Sequence, residues 1–229
     1  MRLEEGDFMA EKYGVVPKRF THEWWEYFWM YYKWHTIVIT FIVLAIGITV
    51  YQKATEPRYD TTLVYAGEAY ISDESSDNLS KLLSPLTEDL DNNGEKALAF
   101  TSFVMSQDQS DPQYTMAMTM KLQLALSEDE TYIYIMDEKL LRTYAGENSE
   151  NCVFAKTDAW LKTDVPEDKL FTVHGDTVAV SLEGNKYLKE AGIDSAGKYL
   201  AVRFYPREDQ KKQIPGYEAA VKLANKILQ

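Results

Sequence analysis

Apolar and polar positions split this chain into two regimes near residue 53. From Thr36 to Tyr51, sixteen consecutive residues carry no charge. At about 1.5 Å per residue a helix of that length spans about 24 Å, against roughly 30 Å of bilayer hydrocarbon. Taking in Tyr32 to His35 closes the gap, because Lys33 can snorkel and Trp34 suits the headgroup level. The run predicts one transmembrane helix. Ahead of it, Trp24, Trp25, Tyr27, Phe28, Trp29, Tyr31, Tyr32 and Trp34 fill eight of twelve positions. They cover nearly every helical face, so one-sided amphipathicity does not explain them. Rings with one polar edge settle at the bilayer interface, and residues 21–34 read as an interfacial helix capped by Thr21. Trp24, Trp25, Trp29 and Trp34 are its interface residues, with the lipid bilayer as partner. A docking surface for another membrane protein is the alternative reading of the same patch.

Beyond a polar linker at 53–59, which contains Pro57, the pattern changes. "TTLVYAGEAYI" is a β-branched and aromatic strand whose Gly67 marks a bend or close approach. Asp73 or Ser76 can cap a helix carrying Leu79, Leu82, Leu83 and Leu86, with Pro85 shortening it. "KALAFTSFVM" predicts a strand buried on both faces. Pro112 opens a helix from Gln113 to about Leu126, apolar on two stripes and so expected to be well covered. "ETYIYIMD" is a strand ending at Asp137. "NCVFAKTDAWL" and "KLFTVHGDTVAVSLEG" predict strands or a hairpin, "NKYLKEAGI" a short helix, and "GKYLAVRFYP" a strand. Tyr217 to Gln229 closes the chain as a helix with Tyr217, Ala220, Val221, Ala224 and Leu228 on one face.

Alternating strands and helices predict parallel pairing with right-handed crossovers. The expected class is α/β: an interfacial and transmembrane helix, then a three-layer domain whose mostly parallel sheet turns mixed toward the C-terminus. The expected division is a cytoplasmic tail at 1–20, the helix at 21–52, a linker at 53–59 and an extracytoplasmic domain at 60–229. Lys18, Arg19 and Lys33 precede the span, against Lys53 and Arg58 after it, which favours a cytoplasmic N-terminus. A cleaved signal peptide fits poorly, since the run starts some 35 residues in and Gln52-Lys53-Ala54 lacks a small-x-small site.

Composition narrows the partners. The chain has 229 residues, 45% of them hydrophobic, and a net charge of −12. That is enough apolar content for a real core, and too acidic a balance for nucleic acid. The single cysteine, Cys152, excludes an internal disulfide and a thiolate zinc cluster and reads as a buried inert thiol.

The succession "TLVYAGEAYI", helix, "KALAFTSFVM", helix "MAMTMKLQLALSEDE" and "TYIYIMDE" resembles the first lobe of type II periplasmic (solute) binding proteins. "TVAVSLEGNKYLKEAGID" is similar to the part where that family's chain returns to the first lobe. The resemblance covers about Tyr59 to Tyr144 and part of 171–205. It implies a ligand cleft with a residue near the end of each strand. The chain departs from the pattern in length, since about 170 residues fall short of two full lobes. The N-terminal arrangement also resembles that of uncharacterised single-span proteins of clostridial bacteria.

Candidate chemistry is sparse. In an open parallel sheet ligands gather at the carboxyl ends of strands. Those positions are Gly67, Glu68 and Tyr70, then Met105 and Ser106, then Asp137 and Glu138, with Gly67, Glu68, Tyr70 and Asp137 as the candidate ligand residues. Loop packing is the competing reading of the same positions. "DLDNNGE" places Asp89, Asp91, Asn93 and Glu95 as in the first half of a calcium loop, where oxygen ligands recur at every second residue. Phe100 stands where the closing bidentate Glu belongs, so a polar turn built on Asn and Gly is expected and no cofactor is required. His174 is the one histidine beyond the linker, and there is no G-x-S-x-G, phosphate loop or dinucleotide fingerprint. These readings predict a membrane-anchored extracytoplasmic domain with a non-catalytic binding or scaffolding role. A tethered solute-binding receptor is the alternative.

Overall fold

The computed structural model describes residues 18–55, 59–105, 112–127, 131–146, 152–204 and 212–229. The chain divides into two compact units, one on either side of the Pro57–Arg58 junction.

The described residues of the first unit form one uninterrupted helix, α1 (His22–Thr55), after a short turn at residues 19–20. The Trp24 backbone N–H donates to Thr21 Oγ1 at 3.3 Å, which is the expected cap. Its rings form a ladder at helical spacing: Trp24 stacks on Phe28 and Phe28 on Tyr32, with centroids 5.4 and 5.5 Å apart. Most side chains from Trp25 to Tyr51 stand exposed, all round the helix, with Tyr27, Phe28 and Thr36 half-buried. It is long and apolar enough to cross a membrane. At 34 residues it measures about 51 Å, well beyond the roughly 30 Å of hydrocarbon.

The second unit is a six-stranded sheet with helices. In chain order its elements are β1 (Thr61–Gly67), α2 (Asp73–Leu83), β2 (Leu98–Val104), α3 (Pro112–Ser127), β3 (Ile133–Asp137), α4 (Glu138–Tyr144) and α5 (Thr157–Trp160). Then follow β4 (Leu170–Val173), β5 (Asp176–Ser181), α6 (Lys186–Glu190), β6 (Lys198–Val202) and α7 (Ile214–Ile227). The strand order is β2-β1-β3-β6-β5-β4. β1 pairs parallel with both β2 and β3, while β3–β6, β6–β5 and β5–β4 are antiparallel. The expected mostly parallel sheet is thus confined to the first three strands. Two helical crossovers, α2 and α3, join those three strands, whereas His174-Gly175 reverses the chain directly between β4 and β5. Both residues have positive φ (52° and 85°), as a two-residue hairpin turn requires.

Side-chain alternation builds a hydrophobic cluster on each face of the sheet. Leu63, Tyr65, Ile133, Ile135, Leu200 and Val202 point one way and meet α2, α6 and α7. Val64, Ala66, Tyr134, Met136 and Ala201 point the other way and meet Leu122 and Leu126 of α3, Leu141 of α4 and Phe154.

Several expectations need correction. Ser72 caps α2 in place of Asp73 or Ser76: its hydroxyl accepts the Ser75 N–H at 3.1 Å. β2 is an edge strand, mostly half-buried, because the chain leaves β1 on one side for β2 and on the other for β3. α3 is poorly covered: Met116, Met120 and Leu124 are 62, 58 and 60% exposed, since a helix at the sheet margin is covered along one stripe only. The described residues of "NCVFAKTDAWL" form no strand; Phe154 makes an isolated bridge to Arg203, and α5 follows. The closing helix starts earlier, at Ile214, and buries Tyr217, Ala220, Val221 and Ala224 as its stripe predicts.

Candidate functional site

β1 is the point where the strand order reverses, and its carboxyl end lies beside that of β3. Gly67 closes β1. A Cβ there would collide with the Tyr65 hydroxyl and stand 2.5 Å from Tyr65 Cζ and 2.6 Å from Asp137 Oδ2. Glycine is needed because the Tyr65 ring, two residues earlier on the same face, lies across this position. Next in sequence, the Glu68 backbone N–H donates to Asp137 Oδ2 at 2.6 Å. Asp137 Oδ1 faces Lys198 Nζ at 3.7 Å, from the residue that opens β6 opposite Asp137 in the register. The Lys198 side chain is 95% buried, and its ammonium sits 5.6 Å from the centroid of the Tyr65 ring. Lys139 reaches Glu68 at 3.4 Å from outside.

The sequence-predicted residues Gly67, Glu68 and Asp137 therefore converge, and Tyr70 stands 75% exposed just beyond them in sequence. Met105 is buried and its N–H donates to Gly67 O at 2.7 Å, which makes it part of the ladder. Ser106 lies outside the described residues. Glu138 starts α4 and pairs with Arg142 at 2.7 Å. Sequence reasoning missed Tyr65 and Lys198. The Tyr-x-Gly spacing at the end of β1, and a lysine opening an otherwise apolar strand, are the signals that could have found them.

Two oxygens at this place, Tyr65 Oη and Asp137 Oδ1, are buried without a hydrogen bond. Burial, reinforced by the negative charge of Asp137, pushes the Tyr65 phenol well above its ordinary value, so it stays neutral. The cluster thus offers a fixed ammonium, a carboxylate and a neutral hydroxyl at one strand end. That set can hold a polar ligand or lock three strands together.

The calcium-like segment resolves differently. Asp89 and Asp91 come together with Asp60, one carboxylate oxygen from each lying within 4.8 Å of the others. Asp60 precedes β1, which is why sequence spacing did not reveal it. Each carboxylate already accepts N–H donors: Asp60 from Leu90 (2.7 Å) and Ala97 (2.9 Å), Asp89 from Gly94 (2.9 Å), Asp91 from Asn93 (3.1 Å). Asn93 Oδ1 accepts the Glu95 N–H at 2.6 Å while its Nδ2 donates to Asp91 Oδ2 at 3.0 Å, which ties Asn93 to the carboxylates by a hydrogen bond, and Glu95 stays exposed. Asn92 and Gly94 take the left-handed conformation at φ 57° and 85°, as a polar turn requires.

Cys152, Lys156, His174 and Asp176 line a small cavity of about 60 Å³. Burial pushes the Cys152 thiol upward, and the thiol donates to Phe154 O at 3.4 Å, so it is the protonated form that the fold favours. Asp176 is engaged by Lys156 at 2.7 Å, and His174 Nε2 lies 2.8 Å from Gly146 O. A larger groove of about 240 Å³ runs between Asp164–Pro166, the end of β5 and Ile227–Gln229. Its polar groups bond across it: Lys169 Nζ to Glu183 O, and Asn185 Nδ2 to Ile227 O.

Comparison with known proteins yields no relative: no family model, curated protein or solved structure matches this chain.

Proposed function

We propose that this chain is a single-span membrane protein that displays a three-layer α/β domain on the outer side, with a non-catalytic binding or scaffolding role. The observation that carries the reading is α1, whose apolar surface from Ile37 to Tyr51 is exposed on every side. No soluble fold gains by leaving such a surface in water, and lipid is the solvent that accepts it. The aromatic ladder from Trp24 to Trp34 belongs at the headgroups. The basic residues ahead of the span support a cytoplasmic N-terminus. Two hydrophobic clusters on opposite sheet faces support the three layers. The neutral Cys152 thiol and the occupied His174 and Asp176 side chains favour a non-catalytic role. Protease treatment of intact cells tests the topology: the acidic domain is removed while α1 is retained. A domain that survives shaving of intact cells but is cut in inverted vesicles defeats the orientation.

A second reading, a tethered solute-binding receptor, is favoured by one observation: the strand order reverses at β1, where Tyr65, Asp137 and Lys198 meet. The resemblance to the binding-protein lobe points the same way. A thermal-shift screen of sugars, amino acids and peptides separates the two. A consistent shift with one ligand class, abolished by Lys198→Met, establishes the receptor; none leaves the scaffold.

A further inference from the structure

We propose that the free edge of β2 and the exposed face of α3 together form a two-fold interface between two copies of this chain. β2 ends the sheet, and its register fixes which amides are spare. Ala97 O and Met105 N bond toward β1, so the odd-numbered residues between them do the same in a parallel ladder. Phe100, Ser102 and Val104 therefore direct their N–H and C=O groups outward. The Leu98 N–H is taken by Ser84 Oγ at 3.1 Å, whereas those three residues find no backbone partner on that side among the described residues.

Natural sheets blunt such an edge with lysine, proline, a bulge or shortness. The opposite edge obeys: β4 has four residues and shifts register at Phe171/Thr172. β2, "LAFTSFV", has seven residues and none of these devices.

α3 packs against β2 and continues the surface. Met116, Met120 and Leu124 lie at successive fourth positions, each about three-fifths exposed. The seven residues of β2 and sixteen of α3 carry one charge between them, on Lys121. That neutrality selects the occupant. Elsewhere the chain is strongly acidic, with 36 Asp and Glu against 24 Lys and Arg, so two copies repel wherever acidic surfaces meet. At this face two copies approach without that cost.

Geometry closes the interface. Antiparallel pairing of β2 with β2 of a second copy has its two-fold axis perpendicular to the sheet. That operation keeps both α3 helices on the same sheet face and sets them side by side, so the two Met–Met–Leu stripes meet. The contact is self-complementary and leaves no unpaired copy of the patch, as a closed dimer demands. The patch measures roughly 24 Å by 20 Å, on the order of 500 Å² per copy. About 1,000 Å² in total is the lower bound for a specific interface.

The test measures the mass of the full chain in a mild detergent by light scattering, for wild type and two variants. Ser102→Pro removes an outward N–H and no bond to β1, so the fold survives while strand pairing does not. Met120→Lys puts an ammonium into the helix contact at a solvent-exposed position and stands alone should the proline variant misfold. The expected result is a dimer that each variant weakens at least about tenfold, with an unchanged melting temperature for the lysine variant. Met120→Cys should also form an intermolecular disulfide in membranes on mild oxidation. A monomeric wild type overturns the proposal, including one that engages a different protein through this face. A dimer that persists in both variants overturns it too, because the contact then lies elsewhere.

Discussion

Asp137, the last residue of β3, accepts the backbone N–H of Glu68, just past β1, at 2.6 Å. The bond ties the carboxyl ends of two parallel strands together across 69 positions of sequence. The same carboxylate faces the buried ammonium of Lys198 at 3.7 Å with its second oxygen, so three strands meet on one side chain. A charge-assisted bond of this length is among the stronger kinds in proteins.

Removing that carboxylate strands both partners. Asp137→Ala is expected to cost about 2–4 kcal/mol, because it removes the acceptor of the Glu68 N–H and leaves the buried Lys198 ammonium uncompensated. Asp137→Asn keeps an acceptor oxygen and costs about half as much. Adding Lys198→Met to Asp137→Ala should recover part of the loss. Urea midpoints with an unchanged slope read all three; a silent Asp137→Ala would show that the strand ends are held by other contacts.

Alkali acts on Tyr65. Its folded value is raised, mainly by burial and then by Asp137, so the neutral phenol favours the folded form. That contribution is full below the unfolded value of about 10 and is lost as pH climbs from there toward the folded value. Burial raises Tyr144 and Tyr199 in the same direction. Tyr65→Phe should move the alkaline unfolding midpoint upward without abolishing the transition. At neutral pH it should change stability by less than about 1 kcal/mol, since the hydroxyl donates to no acceptor.

Gly67→Ala tests the close approach of the ring. The added methyl collides with the Tyr65 hydroxyl and crowds Asp137, at an expected cost of about 2–3 kcal/mol. In a Tyr65→Leu background the same change should cost markedly less, and that non-additivity is the diagnostic. Equal costs in both backgrounds would place the strain elsewhere.

Asn225 clamps α7 to the segment after α5. Its Oδ1 accepts the N–H groups of Lys162 (2.6 Å) and Thr163 (3.1 Å), and its Nδ2 donates to Trp160 O (2.9 Å) and Val221 O (2.8 Å). Asn225→Ala should destabilise by about 2–4 kcal/mol through the buried groups it orphans. Hydrogen exchange at Lys162 and Thr163 should accelerate before the rest of the domain opens.

For α1, Val43→Arg places a charge at the centre of the apolar run, with an insertion penalty of about 2.5–3.5 kcal/mol. The fraction resisting alkaline carbonate extraction should fall. Trp25→Arg, among the headgroup-level rings, should leave it nearly unchanged.

What could be seen without coordinates were properties carried by neighbouring residues. The uncharged run after His35, the short apolar run of "ETYIYIMD", Pro112 opening α3 and the hairpin in "KLFTVHGDTVAVSLEG" each act over a few positions, because strand pleat and helical pitch are local geometry. Gly67, Glu68 and Asp137 were within reach for the same reason: strand ends can be read locally. The direction of β6 against β3, the exposed edge of β2, the uncovered stripe of α3, and the meeting of Tyr65 with Lys198 or of Asp60 with Asp89 could not. Each depends on which distant segments close on one another. That choice is made by the burial of both sheet faces together and by loop closure across tens of residues, and no local period encodes it.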